Sequence, residues 1–135
     1  GGRALLARTE AAAREALGFV NLEDRAAAPA STLPHGDQRL LEIAMALAQE
    51  PDLLLLDEPT QGLASEETAA TAALVRRISR ERRVTILLVE HDMDVVFNVA
   101  DRISVLHFGV LIAEGSPGEI RRNVEVQKAY LGDAD

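Results

Sequence analysis

Apolar residues recur along this chain at two different spacings, which predict helices in some segments and strands in others. In residues 36–49 the apolar side chains repeat every three or four positions, as on one face of a helix. Residues 3–17 are rich in alanine, leucine, arginine and glutamate, which all favour a helix. Residues 53–56 are instead an unbroken run of leucines, which favours a strand buried on both faces of a parallel sheet.

The rest of the chain continues the alternation of helices and strands. Helices are predicted at 65–83 and 93–99, strands at 84–89, 102–108 and 110–113, and an amphipathic helix from 117 to 130. Gly18 is expected to end the first helix and Ser65 to cap the third, while Ser116 begins a capping box with Glu119. This order predicts an α/β fold with a largely parallel sheet.

Composition places the chain among ordinary globular proteins. It has 135 residues, about the size of one domain, of which 47% are hydrophobic and 27% charged. No apolar run approaches the roughly 20 residues that cross a bilayer. Cysteine is absent, which excludes disulfides and thiolate zinc sites. The beginning, Gly1-Gly2-Arg3, leads us to expect a cut inside a longer protein.

The charge and the lysine content of the chain bear on two kinds of phosphate recognition. The net charge of −8 opposes binding to a nucleic-acid backbone by bulk electrostatics. A phosphate-binding P-loop needs a lysine beside serine or threonine at the start of a helix. Lys128 is the single lysine, and it is followed by Ala129. These 135 residues therefore contain no P-loop.

An acidic pair follows the leucine strand. Asp57 and Glu58 stand where that strand leaves the sheet, the edge at which open α/β sheets usually place ligands. There the two carboxylates could bind Mg²⁺ and polarise a water molecule. Alternatively, they cap a turn before Pro59. The pair alone leaves both interpretations open.

Three motifs that occur in order along the chain favour the interpretation of the acidic pair as a catalytic site. The chain contains LPHGDQ at 33–38, LLLLDE at 53–58 and EHD at 90–92. Together they resemble the signature motif, the Walker B strand and the switch histidine of the nucleotide-binding domain of ABC transporters. More narrowly, LPHGDQRLLEIAMAL, TQGLASEE, VEHDMDVVF and VQKAYLG are similar to the ATPase subunits of branched-chain amino-acid importers.

The resemblance implies a fold and a division of the chain. The fold would be a partial P-loop NTPase (RecA-like) core with a largely parallel sheet, plus part of the ABC helical subdomain. Residues 1–50 would belong to the helical subdomain, 51–115 to the C-terminal half of the ATPase core, and 116–135 to a helical tail. The Walker A region would lie before Gly1.

The resemblance also implies a role for each matching residue. Asp57 would hold Mg²⁺, Glu58 would act as general base or orient the attacking water, and His91 would contact the γ-phosphate. The signature loop would act in trans, on ATP held by a second subunit. Its residues are Pro34, His35, Gly36, Asp37 and Gln38.

The signature loop departs from the family pattern at two positions. Pro34 stands where the family has a serine, and it offers neither a hydroxyl nor an amide hydrogen. His35 stands where glycine is usual, and it is either a replacement donor or a solvated loop histidine. Asp37 stabilises the helix start but repels phosphate. In the segment 61–64, which matches the D-loop, Ala64 replaces a common acidic residue.

The function implied is that of the C-terminal part of an ATP-hydrolysing subunit of an ABC importer, using ATP and Mg²⁺. Its partners would be transmembrane permease subunits and a second ATPase subunit, at the cytoplasmic face of the cell membrane, with no nucleic acid. Lacking a P-loop, the chain alone is expected to be inactive, and exposed sheet edges predict low stability or oligomers. Two alternatives are a non-catalytic interaction module and an ABC-type ATPase of DNA repair or translation.

Overall fold

The computed structural model describes residues 1–132, which fold as two compact units divided after Val89. The first unit contains α1 (Gly2–Phe19), two short 3-10 turns (Glu23–Arg25 and Ala30–Thr32), α2 (His35–Leu47), β1 (Leu53–Asp57), α3 (Ser65–Glu81) and β2 (Thr85–Val89). The second contains α4 (Met93–Val99), β3 (Ile103–His107), β4 (Val110–Gly115), α5 (Pro117–Arg122) and α6 (Val124–Val126), which runs into a π-helical turn (Gln127–Leu131). The predicted α/β class is confirmed, and the division into 1–50, 51–115 and 116–135 stays a prediction.

Each unit has its own two-stranded sheet. In the first, β1 and β2 are parallel, with α3 as the crossover between them, and Asp57 lies opposite Val89. In the second, β3 and β4 form an antiparallel hairpin that turns at Gly109, where φ is +77°. Because parallel strands end at the same edge, the carboxyl ends of β1 and β2 are neighbours.

The core of the first unit covers one face of its sheet. Alternate residues of β1, Leu54 and Leu56, are buried against the helices. Ile78 of α3 is fully buried in the same cluster. The other buried members are Ala16, Val20, Leu22, Ile43, Ala44, Leu47, Leu74, Val75 and Val84. All three long helices of this unit therefore contribute apolar side chains to a single core.

The prediction that the leucine strand is buried on both faces is wrong. Leu53 and Leu55 of β1 are 55% and 64% exposed, and Leu87 and Val89 of β2 are 59% and 53% exposed. The helices pack on the alternate side chains, so in the described part of the chain the second face of this sheet meets solvent. An unbroken run of apolar residues shows that both faces of the strand are apolar. It does not show that other elements cover both faces.

We expect this apolar face to make the 135-residue chain self-associate or unfold at low denaturant. Leu55 and Leu87 are register partners in the middle of the face. Replacing both by threonine should lower hydrophobic-dye fluorescence and shift sedimentation towards monomer, because exposed apolar area drives both signals. Replacing the exposed Leu5 and Leu6 of α1 in the same way is the control, with a smaller effect expected. A parent chain that is monomeric and unfolds in one steep, high-midpoint urea transition would contradict this expectation.

Two helix ends differ from the sequence prediction. Gly18 does not end α1, which continues to Phe19; the left-handed residue that follows is Asn21, at φ +60°. Asparagine tolerates this conformation because its side chain is short and polar. Ser65 is not the cap of α3, since the helix begins at Ser65 and its N-cap is Ala64.

The C-terminal region begins as predicted and then departs from a single helix. Ser116 caps α5 by accepting a hydrogen bond from the Glu119 amide at 3.2 Å, with Pro117 in the first turn. The helix stops at Asn123, whose ψ of 121° is extended. Asn123 then caps α6 by accepting from the Val126 amide at 3.2 Å. A second cap inside the amphipathic stretch therefore divides it in two.

The second unit has a smaller core. Its buried residues are Ile103, Val105, Ile120 and Val126, from the hairpin, α5 and α6. The Arg121 guanidinium lies 4.2 Å from the centre of the Phe97 ring, which joins α5 to α4. Within residues 1–132, none of the helices has the length and apolar character that crossing a bilayer requires.

Candidate functional site

The candidate carboxylates stand at the end of the parallel pair of strands. Asp57 is the last residue of β1, and its side chain is exposed. It follows a buried leucine, so the carboxylate lies at the boundary between the apolar sheet and water. This is the carboxyl edge at which the sequence predicts a ligand site.

Glu58 adopts a backbone conformation that is unusual for a residue with a side chain. Its φ is +46°, in the left-handed region, which costs about 1–3 kcal/mol in a residue other than glycine. Its N–H donates to the Val89 carbonyl at 2.8 Å, which ties it to the end of β2. The side chain is half-buried. The fold therefore fixes the direction in which this carboxylate leaves the strand.

A tight turn continues from Glu58 to α3. The Glu58 carbonyl accepts from the Gln61 amide at 3.1 Å, and the Thr60 carbonyl accepts from the Leu63 amide at 3.2 Å. Pro59 and Thr60 are buried. Gly62 has a φ of +77°. The backbone of Glu58 thus forms part of a turn, as expected if the acidic pair serves the turn before Pro59. Its side chain remains a candidate general base.

The donor groups present are compatible with magnesium at Asp57. Residues 1–132 contain no group of three or more His, Cys, Asp or Glu side chains placed to hold a metal. Magnesium, however, usually takes one or two protein carboxylates and completes its shell with water and substrate phosphates. An exposed carboxylate at a strand end, as Asp57 presents, fits that mode of magnesium binding.

The loop before α2 is held by a glutamine in the first turn of that helix. The Gln38 amide nitrogen Nε2 donates to the Leu33 carbonyl at 3.0 Å, and the Gln38 N–H donates to the Pro34 carbonyl at 3.0 Å. Pro34 is the N-cap and has no side-chain acceptor. The amides of His35, Gly36 and Asp37 therefore begin the helix without a carbonyl one turn earlier, as in helix ends that bind anions.

Two residues in the first turn of α2 contact the segment that follows Glu58. The sequence did not predict these contacts. His35 Nε2 lies 3.4 Å from the Gln61 carbonyl oxygen. The Glu67 carboxylate lies against Gly36, where an added Cβ would collide with it. The first contact joins two motifs that are 26 positions apart in sequence. Sequence spacing carries no signal for either contact.

His91 belongs to the second unit. It is exposed and stands between the end of β2 and Asp92, which caps α4 by accepting from the Asp94 amide at 3.0 Å. Asp57, Glu58 and the signature loop thus all belong to the first unit, and the loop contacts the turn after Glu58 through His35. A cleft that His91 would share with the acidic pair stays a prediction.

A cavity of about 430 Å³ lies beside the start of α2. The signature loop contributes Pro34, Gly36 and Asp37 to its wall. Its remaining lining residues are Val20, Asn21, Leu40, Leu63, Glu67, Ala70, Thr71, Ala73, Leu74 and Arg77. Asp57 and Glu58 do not line it, so the candidate catalytic edge lies outside this cavity.

Family models match two parts of the chain. Residues 6–61, which include the signature loop and the acidic pair, match the ABC transporter family. Residues 110–135 match the family described as branched-chain amino acid ATP-binding cassette transporter.

Curated proteins and solved structures agree with these matches. The chain is 46% identical over 115 residues to the high-affinity branched-chain amino acid transport ATP-binding protein BraF of Pseudomonas aeruginosa, covering 85% of the chain and 45% of that protein. It is 44% identical over 130 residues to LivG of Salmonella typhimurium, covering 95% and 51%. A crystal structure of the ADP conformation of an ATP-binding cassette of an ABC transporter superposes with a TM-score of 0.82 at 28% identity, covering 93% of this chain and 51% of that one.

The parallel strands, the acidic strand end and these matches define the class: the chain belongs to the ATP-binding cassette family. It spans about half the length of the curated relatives it matches. Within the family, its relatives include the ATP-binding proteins of high-affinity branched-chain amino acid transport.

Proposed function

We propose that this chain forms the C-terminal part of the ATP-hydrolysing subunit of an importer for branched-chain amino acids. Its relatives are named for that transport, and the match at 110–135 is to the same subfamily. The observation that carries the proposal is the edge of the first sheet. There β1 presents an exposed Asp57, and the fold keeps Glu58 in a left-handed conformation.

In this proposal the two carboxylates have separate roles. Asp57 holds Mg²⁺, which when bound supplies positive charge to the phosphate oxygens. Glu58 accepts a proton from, or orients, the attacking water, and its fixed backbone keeps the carboxylate in place for this. The Glu58 side chain is half-buried at the rim of an apolar sheet, where a carboxylate interacts more strongly with a nearby charge than it does in bulk water.

The signature loop and His91 are the other parts of the chain that we propose contact ATP. The free amides at the start of α2 contact phosphate oxygens of ATP held by a second subunit. Asp37, in the same turn, places a negative charge beside that contact and weakens it. His91 contacts the γ-phosphate from the segment after β2. Because the site needs two subunits, we infer a dimer of such subunits on transmembrane permease partners, at the cytoplasmic face of the membrane.

The proposed activity depends on a P-loop that these 135 residues do not contain. We therefore expect the 135-residue chain to show no Mg-ATP hydrolysis. We expect activity in a hybrid in which it follows the N-terminal half of the Escherichia coli relative, to which it is 43% identical. This protein is called the hybrid below. The measurement is phosphate release with Mg-ATP, for both proteins at equal concentration.

The outcomes separate the alternatives. Hydrolysis by the hybrid and none by the chain supports an ATPase whose two halves cooperate. A hybrid that folds and binds nucleotide but never hydrolyses it would favour the non-catalytic interaction module. A membrane pull-down that recovers nucleic-acid-bound partners rather than permease subunits would favour the alternative in DNA repair or translation.

A further inference from the structure

The first turn of α2 touches the turn after Glu58 through the ring of His35. Nε2 lies 3.4 Å from the Gln61 carbonyl oxygen. A carbonyl only accepts hydrogen bonds, so this contact requires the ring proton on Nε2. The same nitrogen lies 3.3 Å from the place where a Cβ would stand on Gly62. The ring therefore packs on the Gln61–Gly62 peptide. A side chain at position 62 would make a tight contact with the ring.

A second contact joins the same two segments. The Glu67 carboxylate occupies the space where a side chain at Gly36 would begin. A methyl carbon of Leu63 lies 3.7 Å from that space. The start of α2 is thus held at two neighbouring residues against the segment that runs from the turn into α3.

Hydrogen bonds continue from His35 to the candidate base. Gln61 accepts from His35 through its carbonyl and donates through its amide to the Glu58 carbonyl at 3.1 Å. Glu58 in turn donates through its own amide to Val89 at 2.8 Å. One continuous path of polar contacts therefore runs from the signature loop to the backbone that aims the Glu58 carboxylate.

We propose that His35 is a positioning residue that couples the signature loop to the turn carrying Glu58 within one subunit. A displacement of the start of α2 on contact with phosphate then moves the Gln61 peptide, and with it the turn that orients Glu58. The inference rests on the proposed function. It depends on the imidazole at position 35, because the ring is what reaches the Gln61 carbonyl.

The test compares variants of the hybrid at position 35. His35→Ala removes one hydrogen bond, so kcat for ATP hydrolysis should fall about 3- to 10-fold while KM for ATP changes less than about twofold. His35→Gln, which keeps an N–H donor on a flexible side chain, should recover most of the lost rate. His107→Gln is the control, since it removes an imidazole from the end of β3, outside this path. Its kcat should equal that of the parent.

A spectroscopic signal tests the contact directly. With labelled histidine and glutamine in the hybrid, NMR should show the proton of His35 on Nε2. The Gln61 carbonyl carbon should shift in His35→Ala and not in His107→Gln. A solvated His35 would leave the Gln61 signal unchanged, and a purely structural His35 would give a loss of kcat that glutamine does not rescue.

Failure of this inference differs from failure of the proposed function. An active hybrid whose His35→Ala variant stays within twofold of the parent kcat overturns the coupling alone. A hybrid that shows no Mg-ATP hydrolysis overturns the proposed function and the coupling together.

Discussion

Glu58→Gln is expected to lower kcat for ATP hydrolysis by the hybrid about 100-fold or more. Glutamine keeps the size of the side chain and the backbone hydrogen bond to Val89, but it can no longer accept the proton of the attacking water. General bases contribute roughly 100- to 10,000-fold to rate, which sets the expected loss. KM for ATP should change little, because the substitution leaves the groups that contact phosphate in place.

The control for this experiment is Glu66→Gln. Glu66 is an exposed residue in the first turn of α3, eight positions further along the chain, and it lies outside the proposed site. Its kcat should remain within about twofold of the parent. Steady-state phosphate release at saturating Mg-ATP measures both variants. A Glu58→Gln hybrid that retains a third of the parent rate would show that Glu58 serves the turn and not the chemistry.

Leu54→Ala is expected to destabilise the 135-residue chain by about 2–5 kcal/mol, and Leu55→Ala by less than about 1 kcal/mol. The two residues are neighbours in β1, yet Leu54 is 4% exposed and Leu55 is 64% exposed. Truncating Leu54 leaves a cavity under the three helices, whereas truncating Leu55 removes atoms that already meet water. Urea unfolding followed by circular dichroism gives both values, at a protein concentration where sedimentation shows the chain to be monomeric.

If Leu54→Ala does not fold, a less disruptive variant at position 54 can be compared with Leu55→Ala instead. Leu54→Val removes one methylene group and should still lower the free energy of unfolding by about 1 kcal/mol. Equal losses for alanine at positions 54 and 55 would mean that both faces of the sheet are covered. That result would restore the interpretation taken from the leucine run and overturn the exposed face described here.

The elements of this fold could be predicted from local patterns, because each pattern reports a local preference. The spacing of apolar residues located α2 within two residues, and the proline and serine at 116–117 located the start of α5. The exposure of Leu55 could not be predicted this way. Burial depends on which other elements reach a face, and a run of leucines is equally apolar whether or not anything covers it.

The candidate site also has features that could be predicted from the sequence and features that could not. Asp57 and Glu58 stand out in sequence because they follow the leucine strand at the edge where open α/β sheets place ligands, and because the motifs around them resemble those of ABC transporters. The left-handed conformation of Glu58 and the contact of His35 with Gln61 have no sequence signature. Both depend on tertiary contacts, in which β2 holds one end of the turn and α2 the other.

The left-handed backbone at Glu58 affects any attempt to engineer higher thermal stability. Glycine adopts such a φ without steric cost, so replacing Glu58 by glycine would relax the turn. A directed-evolution screen that rewards only heat tolerance would therefore favour variants at this codon, and the same variants would discard the carboxylate. Libraries built on this chain should keep codon 58 fixed.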